Sequence, residues 1–158
     1  MWIGVLADTC GEIHPRIPHI FQGMDYILHC GGIGAMGILE ELSNLSPVTG
    51  VLGSTDDAAD YPLGMTLFRE DWGLPLLVSY NVGTPSRPNA ETCLLLTEHD
   101  PKVLIYGHSG EPFNASVSDR LWFSPGSASR RDGKVPPSVG IIEIDGQTAR
   151  GEIIPLQG

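Results

Sequence analysis

Five short stretches of this chain carry side chains able to do chemistry, each placed where the chain turns around glycine. They are Asp8-Thr9-Cys10-Gly11, His29-Cys30-Gly31-Gly32, Gly53-Ser54-Thr55-Asp56, Gly107-His108-Ser109-Gly110 and Ser124-Pro125-Gly126-Ser127. Carboxylate and imidazole suit a divalent ion such as zinc or manganese, and a thiolate is a softer zinc ligand. Asp8, His108 and Cys10, with Asp56 as a further carboxylate, are therefore candidate ligands for at most one ion. Each has a plainer alternative. An Asp just after a buried strand can cap the next turn through its side-chain oxygens. A free Cys commonly packs as a small hydrophobe. His108, before a Ser-Gly turn, can be a satisfied polar residue at a strand end, and His29 is expected to be hydrogen-bonded core.

A second pattern overlaps the first. Gly32-Ile33-Gly34-Ala35-Met36-Gly37 spells G-x-G-x-x-G after an apolar run and before a helical stretch, with Asp56 and Asp57 about 20 residues further on. That context suits a dinucleotide: glycines for close backbone approach, amides for pyrophosphate and an acid for ribose. Against it, the pattern follows the second strand, and the chain downstream turns antiparallel.

In order and spacing the five stretches resemble the small bacterial and archaeal phosphodiesterases of the calcineurin-like metallophosphoesterase superfamily. That family shows D-x-H, H-x-G-D, G-N-x-D, H-G-H, G-H-x-H and N-P-G-S in turn. The resemblance implies a four-layered α/β sandwich, two mixed sheets flanked by helices, and a two-metal hydrolase site. Such a site holds its cations about 3.5–4 Å apart and needs a bridging carboxylate between them. Carried over residue by residue, Asp8 and His108 are kept. Cys10 stands for a His, Gly32 for the bridging Asp, Ser54 for the Asn, Tyr80 for a His of H-G-H and Gly110 for the last His. The resemblance thus implies a phosphodiesterase-family protein whose dinuclear site is largely lost, acting by binding a partner or small ligand. The alternatives are weak one-metal phosphoester hydrolysis and a nucleotide-binding module on Gly32, Gly34 and Gly37. The wider superfamily includes proteins that serve as interaction scaffolds. No tightly bound cofactor is expected.

The emptied cleft is expected to remain as a concavity lined by Asp8, Cys10, Gly32, Ser54, Tyr80 and His108, roomier near the glycines. Arg130 and Arg131, near the Ser124–Ser127 loop, are candidates to bind an anion at its rim, since guanidinium pairs well with phosphate; the alternative is a solvated turn.

The elements that must position these residues read as short aliphatic strands alternating with turns and a few helices. Strands are expected near 2–7, 25–30, 48–52, 63–70, 74–80 and 102–106, with helices near 15–22, 34–44 and 88–99. In the second helix Met36, Leu39 and Leu42 are read as the apolar side, and in the third Cys93, Leu94 and Leu96. The tail reads as antiparallel strands at 113–117, 120–123, 139–144 and 149–154. Residues 81–89 are linker-like but too short to divide domains, so one domain over 1–158 is expected.

Composition narrows the function classes. The chain has 158 residues, 41% hydrophobic and 18% charged, with net charge −10. An acidic surface repels nucleic acid and anionic membrane, so neither is an expected partner. The acids are concentrated early: Asp8, Glu12, Asp25, Glu40, Glu41, Asp56, Asp57 and Asp60 precede residue 69, against Arg16 alone among the bases. No export leader or spanning segment is read, and three cysteines without CxxC make no disulfide framework. A reducing cytoplasm is expected, and a homo-oligomer is compatible with the sequence.

Overall fold

The computed structural model describes residues 1–129 and 134–156. Its elements in chain order are β1 (Trp2–Leu6), α1 (Ile17–Ile20), β2 (Tyr26–His29), α2 (Gly37–Ser43), β3 (Val48–Gly50), β4 (Thr66–Arg69) and β5 (Leu76–Ser79). Then come β6 (Gly83–Thr84), β7 (Arg87–Pro88), α3 (Ala90–His99), β8 (Val103–Tyr106), β9 (Pro112–Val117), β10 (Arg120–Pro125), β11 (Ser138–Asp145) and β12 (Thr148–Pro155). Two five-stranded sheets result, in the orders β12-β11-β1-β2-β3 and β4-β5-β8-β10-β9. Both are mixed. The triplets β1-β2-β3 and β5-β8-β10 are parallel inside, and antiparallel strands flank them.

Alternation along the strands builds three apolar layers, because successive side chains leave a strand on opposite faces. Ile3, Val5, Leu28 and Ile142 of one sheet meet Leu76, Val78, Val103, Ile105 and Phe123 of the other, which glues the sheets face to face. On the outer face of the first sheet, Leu6, Ile27 and Val139 pack against Ile17 and Phe21 around α1 and Ile38 and Leu42 of α2. On the outer face of the second, Leu77, Leu104 and Trp122 meet Leu95 and Leu96 of α3. The order is therefore helix, sheet, sheet, helix, the four-layered α/β sandwich expected. Gly4 allows the close approach of α1 to the first sheet: a Cβ there would stand 2.8 Å from the Phe21 ring.

Several details correct the sequence reading. The packed side of α3 is Thr92, Leu95, Leu96 and His99, with His99 stacked on Phe68 at 4.2 Å; Cys93 and Leu94 are exposed. Asn89 sets that phase, its side chain accepting from Thr92 N at 2.9 Å as the helix cap. Met36 lies ahead of α2 and is 68% exposed, so Ile38 takes the inward place read for it. The linker-like stretch folds into the small β6–β7 hairpin. No helix among the described residues is long and apolar enough to cross a membrane.

Candidate functional site

The ends of the parallel strands gather the chemically distinctive residues. Asp8 and Cys10 follow β1, Gly31 and Gly32 follow β2, Tyr80 follows β5 and His108 follows β8. Parallel strand ends are where α/β folds collect ligands, because the loops there converge outside the sheet. Here the turns after β1 and β2 are laced together by backbone bonds: Asp8 N to Gly31 O at 2.8 Å, Cys10 N to Gly32 O at 3.0 Å and Gly11 N to Ile33 O at 2.9 Å. That lacing needs left-handed backbone on both sides. Asp8 has φ 55° and Cys10 φ 51°, as does His108 at 66°, while Gly32 sits at 72°. Non-glycine residues rarely accept this region, and when they do they tend to cluster at functional sites.

At this corner the two sheets touch. Tyr80 donates its hydroxyl to Asp8 Oδ1 at 3.0 Å, and its ring meets His108 edge to face with centroids 5.3 Å apart. Burial raises the Tyr80 pKa above its ordinary value, and the neighbouring Asp8 and Cys10 reinforce the shift, so the phenol stays protonated and neutral. Ser129 donates to Asp8 O at 2.5 Å and ties the loop after β10 to the same corner.

Gly32 carries the decisive geometry. A Cβ at this position would fall on the Asp8 carboxylate, well inside contact distance, and 2.9 Å from Asp8 Cα. The place from which a bridging carboxylate would project is filled by Asp8. At Gly32 the expected extra room is taken up by Asp8, and the Tyr80 ring lies against the neighbouring Gly31 and Gly107.

The glycine-rich turn has its own anion. Asp56 accepts from Gly53 N at 2.7 Å, Gly32 N at 2.9 Å, Ile33 N at 3.0 Å and Gly34 N at 3.4 Å. The residue read as a ribose or metal ligand thus already accepts from three amides of the glycine-rich pattern, those that a pyrophosphate would need. Four N–H groups converge on one carboxylate, which gives the glycines of the pattern a structural role of their own. Gly37, third in the pattern, opens α2, and Asp57 instead accepts from Ala59 N in its own turn.

His29 is core, as read from the sequence. Its Nδ1 accepts from Gly31 N at 3.1 Å, so Nε2 bears the proton and faces Thr9 Oγ1 at 3.0 Å; Thr9 in turn donates to Ile33 O at 2.8 Å. Full burial lowers its pKa to about 4, which the charge of Asp56 only partly offsets. A second proton would put Nδ1–H against the Gly31 N–H, so this environment keeps the ring neutral. Thr9 and Ser129 gave no signal in sequence, since a hydroxyl there looks like any turn residue.

Of the remaining candidates, Ser54 is exposed on the turn after β3, while Gly110 is buried with φ 71°. The structure brings Asp8, Cys10, Gly32, Tyr80 and His108 to one corner. Even so, among the described residues no three His, Cys, Asp or Glu side chains form a group able to hold a metal ion. Arg130 and Arg131 lie outside the described residues.

The model of the calcineurin-like phosphoesterase superfamily domain matches residues 1–147. The chain belongs to that superfamily. A probable metallophosphoesterase of Methanothermobacter thermautotrophicus is 31% identical over 165 residues, covering 98% of this chain and 92% of that protein. A second, from Methanocaldococcus jannaschii, is 31% identical over 132 residues, 80% of this chain and 68% of the relative. Among solved structures, Vps29 of Entamoeba histolytica complexed with Zn²⁺ superposes with TM-score 0.74 at 18% identity, over 99% of this chain and 100% of that one. An archaeal phosphodiesterase gives 0.72 at 20% identity, over 98% and 100%. Chaetomium thermophilum Vps29 in complex with a cyclic peptide gives 0.69 at 18%, over 98% and 94%. These superpositions establish the fold. Members of this superfamily typically bind divalent metals, but the donor set of this cleft does not suit a pair of them. Two dications need an anion between them, and the position that the resemblance gives to it is Gly32, where a Cβ would stand 2.9 Å from Asp8 Cα.

Proposed function

We propose that this chain, working as one domain over residues 1–158, acts by binding a protein partner or small ligand at a cleft whose dinuclear metal site is largely lost. The observation that carries this reading is Gly32, where the Asp8 carboxylate stands in the way of any Cβ. Cys10, Ser54, Tyr80 and Gly110 at the other ligand positions support it. Chaetomium thermophilum Vps29 complexed with a cyclic peptide is a precedent on this fold for binding a peptide. Nucleic acid and membrane are poor partners for a chain of net charge −10. Three unpaired thiols, Cys10, Cys30 and Cys93, suit a reducing cytoplasm.

A second reading is weak phosphoester hydrolysis with a single zinc or manganese ion at Asp8, His108 and Cys10. It is favoured by the relatives described as probable metallophosphoesterases. Hydrolysis of an aryl phosphodiester with manganese, nickel or zinc separates the two. The binding reading predicts no appreciable turnover. Metal-dependent turnover of about 1 s⁻¹, an ordinary enzymatic rate, abolished in Asp8→Ala, would establish the second.

A further inference from the structure

Tyr80 is the residue at which this cleft departs furthest from a place for a cation. Its hydroxyl, 3.0 Å from Asp8 Oδ1, donates its only proton to the carboxylate that an ion would have to engage. Its ring occupies the floor: a Cβ built on Gly31 would stand 2.5 Å from Tyr80 Cδ1, and one on Gly107 3.1 Å from the same atom. His108 meets that ring edge to face. Tyr80 thus engages both retained candidate ligands, Asp8 through its hydroxyl and His108 through its ring. A neutral phenol donating its proton offers no anionic oxygen to a cation, and its ring packs against the imidazole that zinc would take with the carboxylate.

We propose that Tyr80 is the gate that keeps divalent metal out of this cleft, and that an imidazole in its place opens a single-ion site on Asp8, His108 and residue 80. The proposal rests on the reading of the cleft as lacking its metal pair, and it goes further by naming one side chain as the cause of exclusion. Gly32 bears on a pair of ions, because a bridging carboxylate would have to start from a Cβ that meets Asp8. It does not bear on a single ion at Asp8 and His108; Tyr80 does, with its ring against His108 and its proton donated to Asp8.

The test is zinc titration by calorimetry on tag-free protein, comparing wild type with Tyr80→His, Tyr80→Phe and Tyr80→His combined with Asp8→Asn. Tyr80→His is expected to take up one zinc per chain at least tenfold more tightly than wild type and to gain melting temperature when zinc is added. Tyr80→Phe keeps the ring and should stay within about threefold of wild type, because removing the hydroxyl without removing the ring is insufficient. Adding Asp8→Asn should remove the gain. A folded Tyr80→His that binds zinc no better than wild type overturns the proposal, as does tight binding that survives Asp8→Asn. Should Tyr80→His fail to fold, Tyr80→Asn makes a similar opening with a smaller side chain. Failure of both to fold would show Tyr80 to be indispensable packing and would also overturn it. Wild type that itself takes two zinc ions would instead refute the underlying reading of the cleft, a distinct result in the same titration.

Discussion

Replacing Asp56 by alanine strips the acceptor from Gly32, Ile33, Gly34 and Gly53 together, and the cost can be worked from those bonds. Three of the donors belong to buried residues and lie 2.7–3.0 Å from the carboxylate; the fourth, Gly34 N, is exposed and 3.4 Å away. A hydrogen bond to a charged group contributes about 1.5–3 kcal/mol, and a buried donor left unpaired costs about 1–3 kcal/mol. Asp56 is itself only half-buried, so water recovers part of the loss. Asp56→Ala should therefore destabilise the fold by about 3–5 kcal/mol, at the upper end of what single substitutions do. Asp56→Asn keeps one acceptor oxygen and should lose about half as much. Asp57→Ala, which removes a single exposed bond to Ala59 N, serves as control and should stay within about 0.5 kcal/mol. Urea unfolding followed by circular dichroism reads all three, with the slope m expected to hold constant. A loss below about 1 kcal/mol for Asp56→Ala would show that the amides find water as readily as they find the carboxylate. The account of the glycine-rich turn as a self-filled anion site would then fail.

Two further predictions follow from the same corner. His29 titrates near 4 when folded against 6.5 as the ordinary value. The unfolded chain therefore binds the extra proton between those limits, so stability falls as pH drops through that window and levels off for this group below about 4. The shift of about 2.5 units corresponds to about 3 kcal/mol. Unfolding free energy at pH 7.5 and pH 4.5 should show most of this loss, and His29→Gln should flatten it; equal pH dependence in both proteins would contradict the assignment. Gly32→Ala, with φ at 72° and no room for its Cβ, should cost at least about 2 kcal/mol. Thermal melting measures that directly, and a neutral outcome would mean that Asp8 moves aside easily, reopening the bridging position.

Much of the fold was legible because both buried faces of the strands follow a simple period, as in Ile3 and Val5 against Leu6, or Leu76 and Val78 against Leu77. The helices were harder. The phase of α3 depends on the Asn89 cap, and Leu94 at 59% exposure shows that an apolar residue in a helix does not announce its direction. At the site, the order of Asp8, Gly32, Tyr80 and His108 along the chain pointed to one corner, and the structure brings them there. What sequence could not give was occupancy of space. That Asp8 fills the place above Gly32, that Tyr80 crosses to the opposite sheet and that Asp56 supplies the anion for the glycine turn are all contacts between residues distant in the chain. Asp56 is the instructive case: an acid placed after a G-x-G pattern looks like a ribose ligand until its partners are seen to be the amides of the pattern itself.

The most direct test of the central claim is a count of metal ions in the cleft of crystals grown with excess manganese and zinc, by anomalous scattering. The account predicts no pair of cations bridged near Asp8 and Gly32, with Tyr80 still donating to Asp8. Two cations within about 4 Å of one another, sharing a ligand at that corner, would contradict it.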